Sequence, residues 1–544
     1  MTDTAAIARD WALAMTRQQS VTGSAGEARF GPWLADRLAR SPEFANAEIE
    51  MLPVAPGDPR QCVLMLIRGQ GRRTVLLTGH YDTVTVDDYG SLAPLATEPE
   101  KLRAALIATL SQSAATDAER RALADLTQGD DYLPGRGLLD MKSGLAAGLA
   151  VAARFAADPS NGNILFAAIP DEENNSAGAR ALAPYLPRYA EANALDIVAA
   201  INLDAIADNG DGTAGQVAAL GSVGKLLPTA FVAGVPTHSG FPLNGLNAAA
   251  IAGAIAARVE WAHELTDLGA SPDAAPPSLL SIHDGKPGYD VTTPATAFVT
   301  FKVLSMMTRG ADEVHAAFRA LCAEAAGAAL DALKARAADL PRSAAVVCDA
   351  VPVLDFADIV AAAHTADPTF QAAYDDKRSE AARSGKSLPD QCFAITQWVW
   401  ARSGLPGPAV VVGFASIPYL AAHLSDGEDA RRLRASVEAL SARHAPGDPR
   451  HVGIVDFFPG ISDVSFIGEA DGRHLALISA NTPAWGSGIS WAERDFVAGI
   501  PTINLGPWGR DYHTRLERLY APFAFDVLPS AIVQIVADML APPR

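Results

Sequence analysis

Short apolar runs rich in β-branched residues alternate along the chain with Ala-rich stretches of helical period. The runs at 63–67, 75–78, 164–169, 197–203 and 410–414 read as strands. Near-continuous apolar strands belong to sheets covered on both faces, so the alternation predicts an α/β fold, a mixed central sheet flanked by helices. Polar and acidic residues gather where the runs end: His80 and Asp82 follow one, Asp171 to Glu173 another, Asp204 a third. Open α/β sheets bind ligands beyond the carboxyl ends of their strands, which lets these endings converge on one site.

A Gly- and Asp-rich stretch at 207–215 reads as a crossing between domains. Beyond it the pattern predicts a strand at 231–235, a helix at 246–263, a strand at 298–304 and a long Ala-, Leu-, Glu- and Lys-rich helix at 311–340. These define an inserted α+β domain over 216–345. It separates a first part of the main domain, 1–215, from a second, 346–544. That second part is interrupted by helical, polar segments at 367–388 and 425–450 and ends in an apolar stretch at 524–540. The segment from 84 to 134 is also long, with a helix-like middle at 98–126.

With 544 residues the chain exceeds what one core usually serves. Lys plus Arg total 43 against 62 for Asp plus Glu, a formal charge of −19, which repels phosphate backbones and anionic lipid. No nucleic-acid or membrane-surface partner is expected. The first residues carry acids early and lack a basic segment followed by an apolar one, and no run reaches bilayer length, so the expected location is cytoplasmic. Cys62, Cys322, Cys348 and Cys392 are scattered and read as buried free thiols in a reducing cytosol.

The chemistry lies in the strand endings. In GHYDTV, His80 and Asp82 are two apart, so in extended backbone they point the same way, and an Asp beside a ligating His fixes its tautomer. GRGLLDMKSG places Asp140 at a loop-to-helix junction, a position where a plain N-cap is the ordinary reading. Pro170-Asp171-Glu172-Glu173 sets three carboxylates side by side, which repel unless a cation neutralises them; a solvated acidic turn is the alternative. Asp204 closes the apolar run DIVAAINLDA, and His513 stands in GPWGRDYHTRLERL with Glu517 four residues on. Each alone has a structural reading; five together, most at strand ends, favour a metal site.

The combination of GHYDTV, GRGLLDMKSG, PDEENNSAGA, INLDA, GVPTHSGFPLNGLNAA and HTRLE, in this order from Gly79 to Glu517, resembles the M20 family of metallopeptidases. The length, the long segment before Asp140 and the expanded region after 345 resemble its arginine-utilisation, RocB-like branch. The resemblance implies a zinc-exopeptidase-like catalytic domain, 1–215 with 346–544, holding two divalent metal ions, zinc foremost, with Mn and Co also suited to these ligands, and makes 216–345 an inserted lid or dimerisation-type domain. His80 and Asp204 would bind one metal, Glu173 and His513 the other, and Asp140 would bridge them. Asp82 would orient His80, and Glu172 would be the general base. His238 matches the family histidine that polarises the scissile carbonyl, often from the partner subunit of a homodimer, a contact worth about 3 kcal/mol in the barrier. Gly245 to Asn247 matches the family's glycine and asparagine after that histidine.

The implied reaction is cleavage of an amide bond in a small peptide or N-acyl amino acid. The alternative is a non-catalytic metal-binding or regulatory protein on the same scaffold, linked to arginine catabolism. One family feature is missing: the strand that carries Asp-x-Arg in many members reads YDVTTPATAFVTFKVLS here, with Asp290 and Pro294 but no such arginine. Lys302 and Arg309 are the nearby cations, and lysine lacks the bidentate fork. PGISDV, with Ser462 and Asp463, resembles a loop common in the family and reads equally well as an ordinary turn, while Trp508 and Tyr512 read as packing or pocket lining.

Overall fold

Eight strands build the main sheet: β1 (Glu48–Pro53), β2 (Gln61–Arg68), β3 (Gln70–His80), β4 (Asn161–Ile169), β5 (Asp196–Asn202), β6 (Val217–Ala219), β7 (Gly453–Val455) and β8 (Thr502–Asn504). The computed structural model describes residues 3–159, 161–208, 215–268, 274–305, 309–339, 348–458, 460–470, 472–489 and 498–542. Most of the 207–215 stretch read as a crossing lies outside them. The strand order is β1-β2-β4-β3-β5-β8-β6-β7. The central four, β4, β3, β5 and β8, are parallel, while β1, β2 and β4 pair antiparallel, so the sheet is mixed as expected. Parallel neighbours place the carboxyl ends of β3, β4 and β5 along one rim, and His80, Asp171 to Glu173, and Asp204 follow those three ends.

The helix Ser143–Ala157 lies in the main core with Leu145 and Leu149, beside Phe166, Ile201 and Leu203 from the sheet. Its first turn touches the end of β5: a Cβ on Gly144 would lie 2.0 Å from the Leu203 carbonyl oxygen, so only glycine lets helix and strand approach this closely. The C-terminal segment Phe523–Leu540 is long and apolar enough to cross a membrane by length and composition, against the expectation that no run would be. Its Ile532, Ile535 and Met539 sit in the main core, the ordinary place for such a helix in a large domain.

The long segment before Asp140 forms two helices, Pro99–Ser113 and Asp117–Thr127, rather than one. Thr116 breaks the run by capping the second in a reciprocal box with Glu119. Leu102, Leu106, Leu110, Ala122 and Leu126 make a separate small core, joined by Leu516. A four-stranded ribbon follows, in the order Tyr132–Pro134, Arg518–Tyr520, Trp508–Arg510, Ile206–Asp208. It ties together three stretches distant in sequence: the approach to Asp140, the hairpin around His513 and the exit from Asp204.

The chain divides into two compact units, Met1–Ser222 with Ala422–Ala470 and Val497–Arg544, and Val223–Ala421 with Asp471–Phe496. The second therefore extends well beyond the expected 216–345, and the stretch 346–421 belongs to it rather than to the catalytic part. The strand Ala409–Phe414, read as a return to the main sheet, pairs instead with Pro228–Ala233. Apolar patterning reports that a strand is buried but not which sheet buries it. Within this unit Phe301 meets Phe318 of the helix Ala311–Ala338, while Phe298, on the opposite face of the same strand, stacks on Phe393 of the helix Leu388–Trp400. The extra helices thus cover the second face of the sheet.

Candidate metal centre

Two residue groups converge at the rim, His80 with Asp140 and Asp204, and Asp140 with Glu173 and His513, each offering ligand atoms within 4.8 Å of one another. Asp140 belongs to both. Its Oδ1 lies 3.2 Å from His80 Nε2 and its Oδ2 3.0 Å from His513 Nε2. Asp204 Oδ1 is 3.6 Å from His80 Nε2, and Glu173 Oε1 is 3.2 Å from His513 Nε2. All five sequence-predicted ligands are therefore brought together. Asp140 does not cap the following helix; Lys142 holds the N-cap position and makes no side-chain cap. The turn before it uses Gly137 at φ +75°, a conformation that side chains rarely adopt.

The other predicted residues of this unit surround the group. His80 Nδ1 lies 3.1 Å from the backbone carbonyl of Asp82 and 3.5 Å from its carboxylate. Donation to that carbonyl leaves the Nε2 lone pair facing Asp140 and Asp204. The Asp82 carboxylate does more than orient a histidine: it accepts from the backbone N–H groups of Glu172 at 3.1 Å and Glu173 at 3.2 Å and from the Thr22 hydroxyl at 2.9 Å. It thereby pins the acidic loop to the histidine strand. Glu172 Oε2 stands 4.0 Å from His80 Nε2.

The expectation of three mutually repelling carboxylates needs correction. Asp171, at φ +72°, turns away and pairs with Arg60 at 2.5 Å, so only Glu172 and Glu173 share the site. Burial first, and then neighbouring carboxylates, raise the pKa values of Glu172, Glu173 and Asp204. Burial opposes charge on the histidines too, yet hydrogen bonds to Asp140 and Glu173 push His513 up to about 10, and Asp140, Asp204 and Asp82 raise His80. This is the electrostatics of a cluster with more buried negative charge than its imidazoles offset. Asp140 Oδ1 is buried and, among the described residues, makes no hydrogen bond. An acceptor left this way, among carboxylates and two imidazole nitrogens, fits divalent cations as the missing partners.

Three residues gain a place that sequence reasoning did not give them. Glu517 is fully buried, accepting from Arg136 Nη1 at 2.6 Å and from the Gly137 N–H at 3.0 Å. Its signal was an acid four residues after His513, immediately before the ribbon strand Arg518–Tyr520. Asp463, 1% exposed, has its carboxyl pushed up to about 7 by burial, against the pull of Ser176 and His80, and so belongs to the field of the site rather than to an ordinary turn. Lys142 is fully buried, donates to the Gln18 carbonyl at 2.8 Å and lies over the Phe30 ring. Tyr512 has its ring 4.6 Å from that of His513, and burial with the nearby carboxylates pushes its hydroxyl up to about 12, leaving it a donor. Trp508 packs edge-on against Tyr520.

In the second unit His238 is exposed, and its Nδ1 accepts from the Gly240 N–H at 3.0 Å. Asn247 caps the helix Ala248–Val259. Neither cation offered in place of the missing arginine is a fork held ready: Arg309 donates to the Glu264 carbonyl, and Lys302 lies in the strand Thr296–Ser305. Asp290 accepts from Lys286 at 2.6 Å.

The model of peptidase family M20/M25/M40 matches residues 76–375, more than half of the chain. The chain belongs to this family. M20 membership makes it an enzyme of the peptidase and amidohydrolase type. The Bacillus subtilis (strain 168) protein RocB is 28% identical over 96% of this chain and 93% of its own, and the uncharacterized protein YqjN of the same organism is 27% identical over 97% and 95%. A tripeptidase from Staphylococcus aureus superposes with a TM-score of 0.54 at 15% identity, covering 98% of each chain. The aminopeptidase PepT from Bacillus cereus gives 0.54 at 14%, covering 99% of each. At such identity these two structures establish the shared fold alone, which is the mixed α/β architecture expected of an M20 protein.

Proposed function

We propose that this M20 protein is a dinuclear metal-dependent hydrolase that cleaves the amide bond of a small peptide or N-acyl amino acid. The observation that carries the reading is Asp140, with one carboxylate oxygen facing His80 and the other facing His513. His80 and Asp204 would hold one ion and Glu173 and His513 the other, with Asp140 between them. Zinc suits this set best, and Mn or Co would also be accepted. Bound there, the ions supply Lewis-acid activation of water and of the scissile carbonyl.

Glu172 takes the proton of the attacking water and returns it to the leaving nitrogen, and its raised pKa suits it to the exchange. Asp82 keeps Glu172 in place through the backbone N–H. His238, with Nδ1 occupied by the Gly240 N–H, carries its proton on Nε2 and donates it to the developing oxyanion. The arginine-linked role implied by the branch resemblance is supported by the likeness to RocB. Four unpaired cysteines support a reducing, cytoplasmic location.

Elemental analysis of protein purified without chelator should find close to two ions per chain, and finding none after supplying Zn, Mn or Co removes the reading. Glu172→Gln should keep its metal while kcat on dipeptides or N-acyl amino acids falls by about 10²–10⁴-fold. Normal turnover by that variant would assign the base elsewhere and favour another proton acceptor.

A further inference from the structure

His80 and His513 are held in different ways. The His80 ring is fixed through its second nitrogen by Asp82, whereas among the described residues His513 Nδ1 has no acceptor. Beyond the Nε2 contacts to Asp140 and Glu173, the orientation of His513 therefore rests on its backbone. That backbone is a tight turn between the ribbon strands Trp508–Arg510 and Arg518–Tyr520, with left-handed φ at Asp511 (+54°) and at His513 itself (+61°). Non-glycine residues hold such angles only where the surroundings over-determine them.

The surroundings here come from the helix Asp117–Thr127. Arg510 and Arg518 face each other as cross-strand partners at the base of the turn, two like charges directly opposite. One carboxylate, Asp125, sits between them. It takes Arg510 Nη1 at 2.9 Å on both oxygens and Arg518 Nε at 2.7 Å. Arg518, wholly buried, reaches on to Asp511 at 2.6 Å and the Leu516 carbonyl at 3.0 Å inside the turn. The same helix adds Glu119, paired with Arg515, and the excursion's core takes in Leu516. The turn is thus clamped at its base, its tip and its apolar side by a segment that contributes no ligand.

We propose that Asp125 is the positioning residue for His513 and that the helical excursion before Asp140 exists to set the geometry of the Glu173–His513 ion, leaving the His80–Asp204 ion independent of it. The inference rests on the dinuclear reading of the site. Outer-shell partners of metal ligands typically govern affinity by about 10–100-fold. Removing the negative charge of Asp125 weakens the hold of the helix on both cross-strand arginines, frees Arg518 from the helix and loosens the turn, with no change at His80.

Zn²⁺ titration of the chelator-stripped full chain, with metal counted at limiting and saturating supply, tests this directly. Asp125→Asn should bind one ion as the unaltered protein does and the second about tenfold or more weakly. Asp125→Glu, which keeps the charge, should recover most of the loss. Two ions bound with unchanged affinity, or both weakened equally, would overturn the proposal, since a general loosening of the fold does not select one ion. His513→Ala separates the two levels: if it still takes two ions tightly, the dinuclear reading fails, whereas if it loses one while Asp125→Asn binds normally, only the positioning role fails. Should Asp125→Asn not fold, Arg510→Gln, which leaves the Arg518 pair intact, is read by the same two outcomes.

Discussion

Arg136 and Glu517 form a buried ion pair, Nη1 to Oε2 at 2.6 Å, that joins the loop leading to Asp140 to the turn carrying His513. Each partner is about 1% exposed, and Arg136 completes its fork on Asp88 and the Thr85 carbonyl. A charge buried this deeply is costly once its partner is gone. Glu517→Gln should therefore destabilise the fold by about 3 kcal/mol, measured by denaturant unfolding of the metal-free protein. It should also weaken metal binding, because the loop of Asp140 and the turn of His513 lose their common anchor. An unchanged midpoint would mean that Asp88 alone suffices for Arg136.

Proton and metal compete for His513. Burial works against its charge, but Asp140 and Glu173 push its pKa up to about 10, so the metal-free site is protonated at neutral pH. Metal uptake must expel that proton. Affinity should accordingly rise with pH through the neutral range toward about 10, and calorimetry in buffers of different ionisation enthalpy should detect proton release. Without metal the sign reverses: the stability that His513 adds is complete below its unfolded pKa, near 6.5, and is lost as pH climbs through the folded value. Chelator-treated protein should then lose stability between pH 7 and 10 while the loaded protein does not.

The parts of this molecule that were legible in the sequence are those where burial and chemistry coincide in one short segment. The strands behind His80, Glu173 and Asp204 are apolar runs ending in ligands, so pattern and function marked the same place. What was not legible depends on partners far away. Whether Asp171 joins the site or leaves it is decided by Arg60, 111 residues earlier, and no local pattern records that pairing. The strand Ala409–Phe414 has the composition of any buried strand, and only its pairing with Pro228–Ala233 assigns it to the second unit. Asp125 was invisible for the same reason: on its own helix it is an unremarkable acid.

Arg60 is the cation that makes the acidic loop affordable. It pairs with Asp171 at 2.5 Å and Asp58 at 2.7 Å, with the wholly buried Glu27 3.7 Å away. Burial, then Asp82, push Glu27 up to about 7, and burial raises Asp171 as well. A raised carboxyl contributes its stability fully below the unfolded pKa and loses it as pH rises through the folded value. Arg60→Leu should therefore cost about 3 kcal/mol at pH 8, where Asp171 and Glu27 lose their cation, and less at pH 5.5, where Glu27 takes up a proton. Thermal melts of the metal-free variant at the two pH values measure the difference, and an equal loss at both would show that the ion pairs with Asp171 and Glu27 are not what Arg60 supplies.

His238 offers the cleanest separation of chemistry from structure. It is exposed, and among the described residues its ring accepts from the Gly240 N–H and lies 6.0 Å from the exposed Phe241 ring, so removing it disturbs no buried packing. His238→Ala should keep both ions and its melting temperature while kcat falls by about 10²–10³-fold, the usual loss when one oxyanion donor is deleted. A fall in metal content would instead give the residue a role in holding the ions. The same variant decides how the donor is delivered. Mixed with Glu172→Gln, which lacks the base but keeps the imidazole, it should regain activity if a homodimer shares its sites, because one hybrid site then contains both groups. If the mixture stays inactive although the variants exchange subunits, or if the protein is monomeric, each chain supplies His238 to its own site.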